Sequence, residues 1–294
     1  HYSREAAVRQ SKKFTGENTY IGRYLYRNCG KLFEDWQARM SRLWMQFKFD
    51  NKSFWRNPAA AVFTFVFPLV FLFVFTTIFG DDEITTPSGE SADMATFYIP
   101  SILALSIVNV SYTSLAMQMT ILRDGGFLKQ VYGTPLPVRL FIMSKVLHLV
   151  FIGLILIAIV LAFGRIIYDV QLPTNTLPAA TISAILGIVT FSALGLAMTS
   201  LIPNSDAAPA IVNASILPLL FISDIFIPLH EAPDWLSFIG SLFPVYHLSH
   251  SLITAFDPFQ EASGFEWSHL AALTGWGIIG SIVAARRFSW IPRI

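Results

Sequence analysis

The sequence predicts an all-α membrane protein. The expected architecture is six transmembrane helices, an N-terminal interfacial amphipathic helix, and a re-entrant outer helical hairpin between spans five and six. Three observations carry this. No lysine or arginine occurs between Arg56 and Arg123, or between Arg165 and Arg286. The intervening stretches are rich in Val, Ile, Leu, Phe and Ala, so that the chain is 54% hydrophobic and 13% charged, against roughly 25% charged for a soluble domain. Finally, the basic ends and the basic 121–144 segment fall on one side of the expected crossings and the acidic 80–94 and 228–266 segments on the other, as the positive-inside rule requires.

Residues 1–30 are polar and basic, without an apolar h-region, and read as a cytosolic tail rather than a cleavable signal peptide. The first residue is His1 rather than Met, which predicts a natural start further upstream. Over 31–56, Phe33, Trp36, Met40, Leu43, Trp44 and Phe47 recur at helical spacing. Glu34, Asp35, Gln37, Arg39, Arg42 and Lys48 fall on the other face. Trp on the apolar side and Arg/Lys on the polar side suit a helix in the headgroup plane. The six-span domain then fills 57–294. Asn57-Pro58 provides a cap and a first-turn proline for span one, 58–80, which Pro68 should kink. Phe63, Phe65, Phe67, Phe71, Phe73 and Phe75 crowd this span, as lipid-facing bulk or as an aromatic path. The loop to Asp93 is acidic and belongs outside.

Span two covers 95–120, and the basic segment 121–144 leads to span three, 145–164. Spans four, five and six follow at 178–202, 208–227 and 267–287. Both termini therefore lie on the basic, inner side, with Arg165 the exception among outer-loop residues. Pro233, Trp235 and Leu236 open one short amphipathic helix, Pro244 breaks it, and 246–256 reads as a second. That stretch is too apolar for an open loop and too interrupted for a span, which is why it reads as re-entrant.

Polar residues inside spans default to the bundle interior. Asn109, Thr113 and Gln118 of span two and Asn213 of span five are candidates for a substrate path, and interhelical hydrogen bonding is a compatible reading. Asp224, near the outer end of span five, either reaches water or lines an exit for cationic substrates. In the basic segment, Arg123, Asp124, Lys129 and Arg139 offer charge-assisted contacts, and Phe127, Leu128 and Tyr132 offer apolar anchors. Gly133-Thr134-Pro135 turns the chain back toward the membrane. The segment suits either an ordinary cytosolic loop or a docking surface. The chain lacks a phosphate-binding G-x-x-x-x-G-K-[ST] loop, an H-E-x-x-H and a G-x-S-x-G. His148, His230, His247, His250 and His269 lack metal-ligand spacing, and the single cysteine, Cys29, forms no internal disulfide.

Motifs add to this order. The run from Arg123-Asp124-Gly125-Gly126-Phe127-Leu128-Lys129 through Gly133-Thr134-Pro135-Leu136 to Lys145 resembles the cytosolic signature of type 2 ABC transporter permeases. Ser223-Asp224-Ile225-Phe226-Ile227-Pro228 resembles the family's end of span five, and Pro233, Trp235, Leu236 and Pro244 its outer hairpin. Asp124 stands where the family has Glu, and Asp224 where it has Gly. The resemblance covers roughly residues 31–290.

It implies the permease subunit of an ABC exporter, in a bacterial cell membrane, whose coupling segment docks on an ATPase. Catalysis is then not expected on this chain. ATP and Mg would bind two copies of an ATPase subunit, and a second permease chain, identical or homologous, would complete the path. No nucleic-acid partner is implied. The expected substrate is a hydrophobic drug or lipid, with a lipid-linked polysaccharide as the alternative. An intramembrane enzyme or a channel is a more distant reading, because no catalytic cluster is found at membrane depth.

Overall fold

Apolar runs leave the backbone one stable answer in a bilayer: each N–H and C=O is satisfied within its own helix. The structure, a computed structural model, describes residues 20–79, 83–85, 91–134, 136–168, 170, 175–223, 225, 234–257, 259–260 and 263–289. Helix α1 spans Tyr20–Trp55 and so starts well before residue 31. Leu43, Phe47 and Asp50 are its buried line, and α1 packs along α6 (Val138–Tyr168). Helix α2, Pro58–Phe79, follows after one residue of cap, where Asn57 Oδ1 accepts the Ala60 N–H at 3.3 Å. Phe63, Phe67 and Phe73 of α2 are exposed, matching the lipid-facing reading. Between α2 and the next helix lies a two-stranded antiparallel ribbon, β1 (Glu83–Thr85) with β2 (Ser91–Asp93), in which Ile84 pairs with Ala92.

The second span is the centre of the molecule. It comprises α3 (Met94–Val108), a π-helical turn (Asn109–Thr113) and α4 (Ser114–Asp124). Ile102, Leu103, Ala104, Ile107 and Val108 are buried. In the π turn the Ser114 N–H reaches back to the Asn109 carbonyl. Such turns bulge one side of a helix and are frequent at functional sites. The bulge meets α7 (Leu177–Met198) at Gly195, where a Cβ would lie 2.9 Å from the Tyr112 carbonyl oxygen. A short helix, α5 (Phe127–Tyr132), separates α4 from α6. Gly126 enters α5 at φ 73°, a conformation that glycine adopts at no steric cost.

Helix α8, Ala208–Phe221, is shorter than the span expected over 208–227. Its fourteen residues rise about 21 Å, against a hydrocarbon core of about 30 Å. Pro218 weakens its last turn by removing one N–H and crowding the preceding carbonyls. Among the described residues, five helices are long and apolar enough to cross a membrane: α2, the α3–α4 run, α6, α7 and α11 (Trp267–Arg287). Helices α7 and α11 form the most extensive helix pair. Their backbones come close because Gly277 faces Thr190 and Gly280 faces Ala193 and Leu194. Thr190 Oγ1 donates across this contact to the Leu273 carbonyl at 3.0 Å.

Two helices, α9 (Asp234–Gly240) and α10 (Pro244–Phe256), occupy the stretch expected to form the outer hairpin. Pro244 sits in the first turn of α10, where its missing N–H costs nothing. Val245, Leu248, Leu252 and Ala255 are buried as α10 packs among α3, α7 and α11. Gly195→Val should destabilise the bundle by about 1–3 kcal/mol, because the added carbons overpack the contact with the π turn. A lower thermal midpoint of the detergent-solubilised protein would register this.

Candidate functional site

The C-terminal end of the second span carries two charged residues in sequence. Both turn inward onto the chain between α7 and α8. The side chain of Arg123 is only 1% exposed. Its Nε donates to Asp124 Oδ1 at 2.8 Å, and its Nη1 to the Thr199 carbonyl at 3.0 Å. Nη2 is shared by the carbonyls of Ile202 and Pro203, at 3.1 and 3.2 Å. These carbonyls follow the C-terminus of α7, where helical partners run out and a cation is favoured. Asp124 Oδ2 completes the arrangement by accepting the Ser205 N–H at 2.6 Å. Arginine therefore takes the carbonyls of the 199–206 turn, and aspartate takes an N–H of the same turn.

Beneath this staple, Leu115, Met119, Leu128, Phe141 and Leu196 form a small apolar core of their own, against which Phe127, Val131 and Leu136 pack. Of the residues expected to meet a partner, Arg123 and Leu128 are thus committed within this chain. Phe127 is half-buried, and Lys129 and Arg139 are exposed. Tyr132 ends α5, and its side chain lies outside the described residues. Sequence reasoning found the segment but not the fate of Arg123. The carbonyls that capture it are 76 to 80 residues away.

The path candidates are spread over two helices. On the second span, Asn109 and Gln118 are exposed and Thr113 is half-buried. On α8, Asn213 is exposed, and its neighbour Ser215 hydrogen-bonds Tyr112 Oη at 2.7 Å. Asp224 lies outside the described residues.

One charged pair escaped the sequence reading. Asp50 sits on the apolar face of α1, with its side chain 2% exposed, and pairs with Lys145 Nζ of α6 at 2.8 Å. Ser144 Oγ and Gln46 Nε2 each donate to the same carboxylate at 3.2 Å. Gln118 Oε1 lies 3.5 Å from Lys145 Nζ. The available signal was a carboxylate at position 50, in phase with Leu43 and Phe47.

The histidines that look scattered in sequence also meet. His247 Nδ1 lies 2.8 Å from His269 Nδ1, and the His250 ring stacks on His269 with centroids 5.4 Å apart. Among the described residues, no group of three or more His, Cys, Asp or Glu is arranged to hold a metal ion. Burial holds the His247 imidazole below the ordinary histidine range, and nearby His250 acts in the same direction.

Two predictions follow from these contacts. Arg123→Ala should cost roughly 3–5 kcal/mol, because it leaves Asp124 without its buried partner. Thermal unfolding should register the loss, with faster proteolysis in the 199–206 turn, whereas Lys129→Ala should change neither. The second concerns pH. A lowered His247 pKa favours the neutral form in the folded state. Its contribution is complete above the ordinary value of about 6.5 and is lost as pH falls below it. Thermal midpoints measured from pH 8 to pH 5 should drop less in His247→Gln than in the natural protein.

Residues 41–256 match the ABC-2 type transporter family. The chain is similar to YvfS of Bacillus subtilis (strain 168), named a transport permease. The two are 24% identical over 192 residues, covering 65% of this chain and 76% of YvfS. It is also similar to ycf38 of Cyanophora paradoxa, likewise named a transport permease, at 28% identity over 70% of this chain and 68% of the relative. The ycf38 protein of Porphyra purpurea is 24% identical over 73% of this chain and 71% of its own length.

Proposed function

The chain belongs to the ABC-2 type transporter family, and from that premise we propose that it is the transmembrane permease subunit of an ATP-driven exporter. Its apolar helices and family membership make it an integral membrane protein. The family is one of transport permeases and is not itself catalytic. In this reading ATP and Mg bind a partner ABC ATPase, two copies of which serve a pair of permease chains. Residues 57–294 form the six-span domain, with α8 as the short fifth span and with both termini in the cytoplasm of a bacterial cell. Exposed Met40, Trp44 and Trp55 on α1, with Lys48 Nζ 5.7 Å from the Trp44 ring, support a helix lying in the headgroup plane. The hairpin α9–α10 is the re-entrant element of the outer leaflet.

The single observation that carries the coupling mechanism is the Arg123–Asp124 staple. It ties the end of α4, two residues short of α5, to the turn between α7 and α8, so a push on α5 that reaches α4 is delivered to two further helices at once. Lys129 and Arg139 remain free of that duty and face outward as the docking contacts, with Phe127 beside them. Substrate passes along the polar exposed face of the second span and α8, past Asn109, Thr113, Gln118 and Asn213 and out by Asp224. The cargo is a hydrophobic drug or lipid-like molecule. A lipid-linked polysaccharide is the alternative, favoured by the long amphipathic α1. Lys129→Glu combined with Arg139→Glu should abolish co-purification with the ATPase and leave the thermal midpoint of the permease unchanged. Wild-type recovery of the ATPase by this variant would overturn the docking assignment.

A further inference from the structure

A polar cavity of about 210 Å³ lies where the end of α1 and the start of α2 meet α4 and α6. Asp50, Phe54, Ser114, Gln118, Lys145 and His148 are among its walls. Lys145 and His148 stand seven and ten residues into α6, or about 10–15 Å along the helix axis. That depth corresponds to the inner leaflet in the topology proposed above. Ser114 and Gln118 at the rim are exposed, so the cavity opens through the wall of the bundle. His148 is only 7% exposed, and its Nδ1 has no hydrogen-bond partner. A buried polar atom left in that condition costs free energy that a ligand donor or acceptor would recover.

The chemistry of the walls selects the ligand. Lys145 is already neutralised by Asp50 at 2.8 Å, and the carboxylate is held by Ser144 and Gln46 as well. A phosphate would have to displace or face that buried carboxylate, and a cation would face Lys145. What remains for a visitor is hydroxyl, amide and imidazole, beside an aromatic wall at Phe54 and aliphatic walls at Val110, Leu115, Leu149 and Ile152. The cavity is smaller than the roughly 300–1,000 Å³ of sites that enclose whole drug-sized molecules. It fits the polar end of an amphiphile whose chains stay in the bilayer.

We propose that this cavity binds the uncharged, hydroxylated headgroup of a lipid-like molecule drawn from the inner leaflet, and that it is a loading site of the exporter. The proposal rests on the lipid-export reading above and narrows its substrate to sugar- or polyol-headed lipids.

The test uses the permease with its ATPase in phosphatidylcholine nanodiscs. These are doped equally with glucosyl diacylglycerol, phosphatidylglycerol and diacylglycerol of matched chains, and retained lipids are counted by native mass spectrometry. The glucosyl lipid should be retained at least about tenfold over the other two, a preference of roughly 1.4 kcal/mol. His148→Phe, which removes the imidazole, and Ser114→Leu, which fills part of the cavity, should erase the preference. Equal retention of the three lipids, a preference for phosphatidylglycerol, or an undiminished preference in well-folded variants would overturn the site. If a variant does not fold, the ranking by the natural protein decides. ATP-driven movement of the same lipids in proteoliposomes separates the two readings. Selective retention without movement refutes export and keeps the site. Movement without selective retention refutes the site and keeps export.

Discussion

One guanidinium group organises the inner half of this molecule. Arg123 is buried at the end of the central helix, and the carbonyls it reaches would otherwise lie beyond the last turn of α7 with no helical partner. A buried charge is tolerated only when its hydrogen-bonding positions are filled. Here they are filled by one carboxylate and three carbonyls, and the same carboxylate takes the Ser205 N–H. The contact is directional as well as attractive, because a planar fork of donors fixes both distance and orientation. The end of the central span and the α7–α8 turn are thereby held as one unit.

The second buried pair does the corresponding work for α1. Leu43 and Phe47 supply apolar contact with α6, but such contact alone sets no register along a helix. Asp50 and Lys145 do, since an ion pair at 2.8 Å inside apolar surroundings tolerates little sliding. The amphipathic helix is therefore bound to the third span at one place, while Met40, Trp44 and Trp55 remain outward. Removal from water makes both pairs costly to break, and both join segments far apart in the chain.

Much of the architecture was legible because a bilayer enforces simple rules. The gaps in lysine and arginine fixed the apolar runs, and Asn57-Pro58, Pro244 and the 121–144 segment marked boundaries that the helices respect. The length of α8 was less legible, since hydropathy continues past Phe221 while the helix does not. The π turn left no pattern at all. Asn109 to Thr113 read as ordinary helix, and only the approach of Gly195 to the bulged backbone gives the turn a partner. The 121–144 segment was legible as a basic interruption between spans, and the place of Arg123 within it was not. A basic residue in an inner loop looks available for a partner, and Arg123 is not, because its acceptors are backbone carbonyls that have no sequence signature.

The sequence by itself determined that this chain crosses a membrane in apolar helices and where a basic segment interrupts them. Those properties follow from local composition acting against a uniform solvent, one residue at a time. Only the tertiary structure decided which charges face outward and which are consumed inside. It also brought His247 to His269 and Asp50 to Lys145. Such pairings depend on the packing of distant helices at a particular register. Period and composition describe one helix at a time and carry no information about its neighbour.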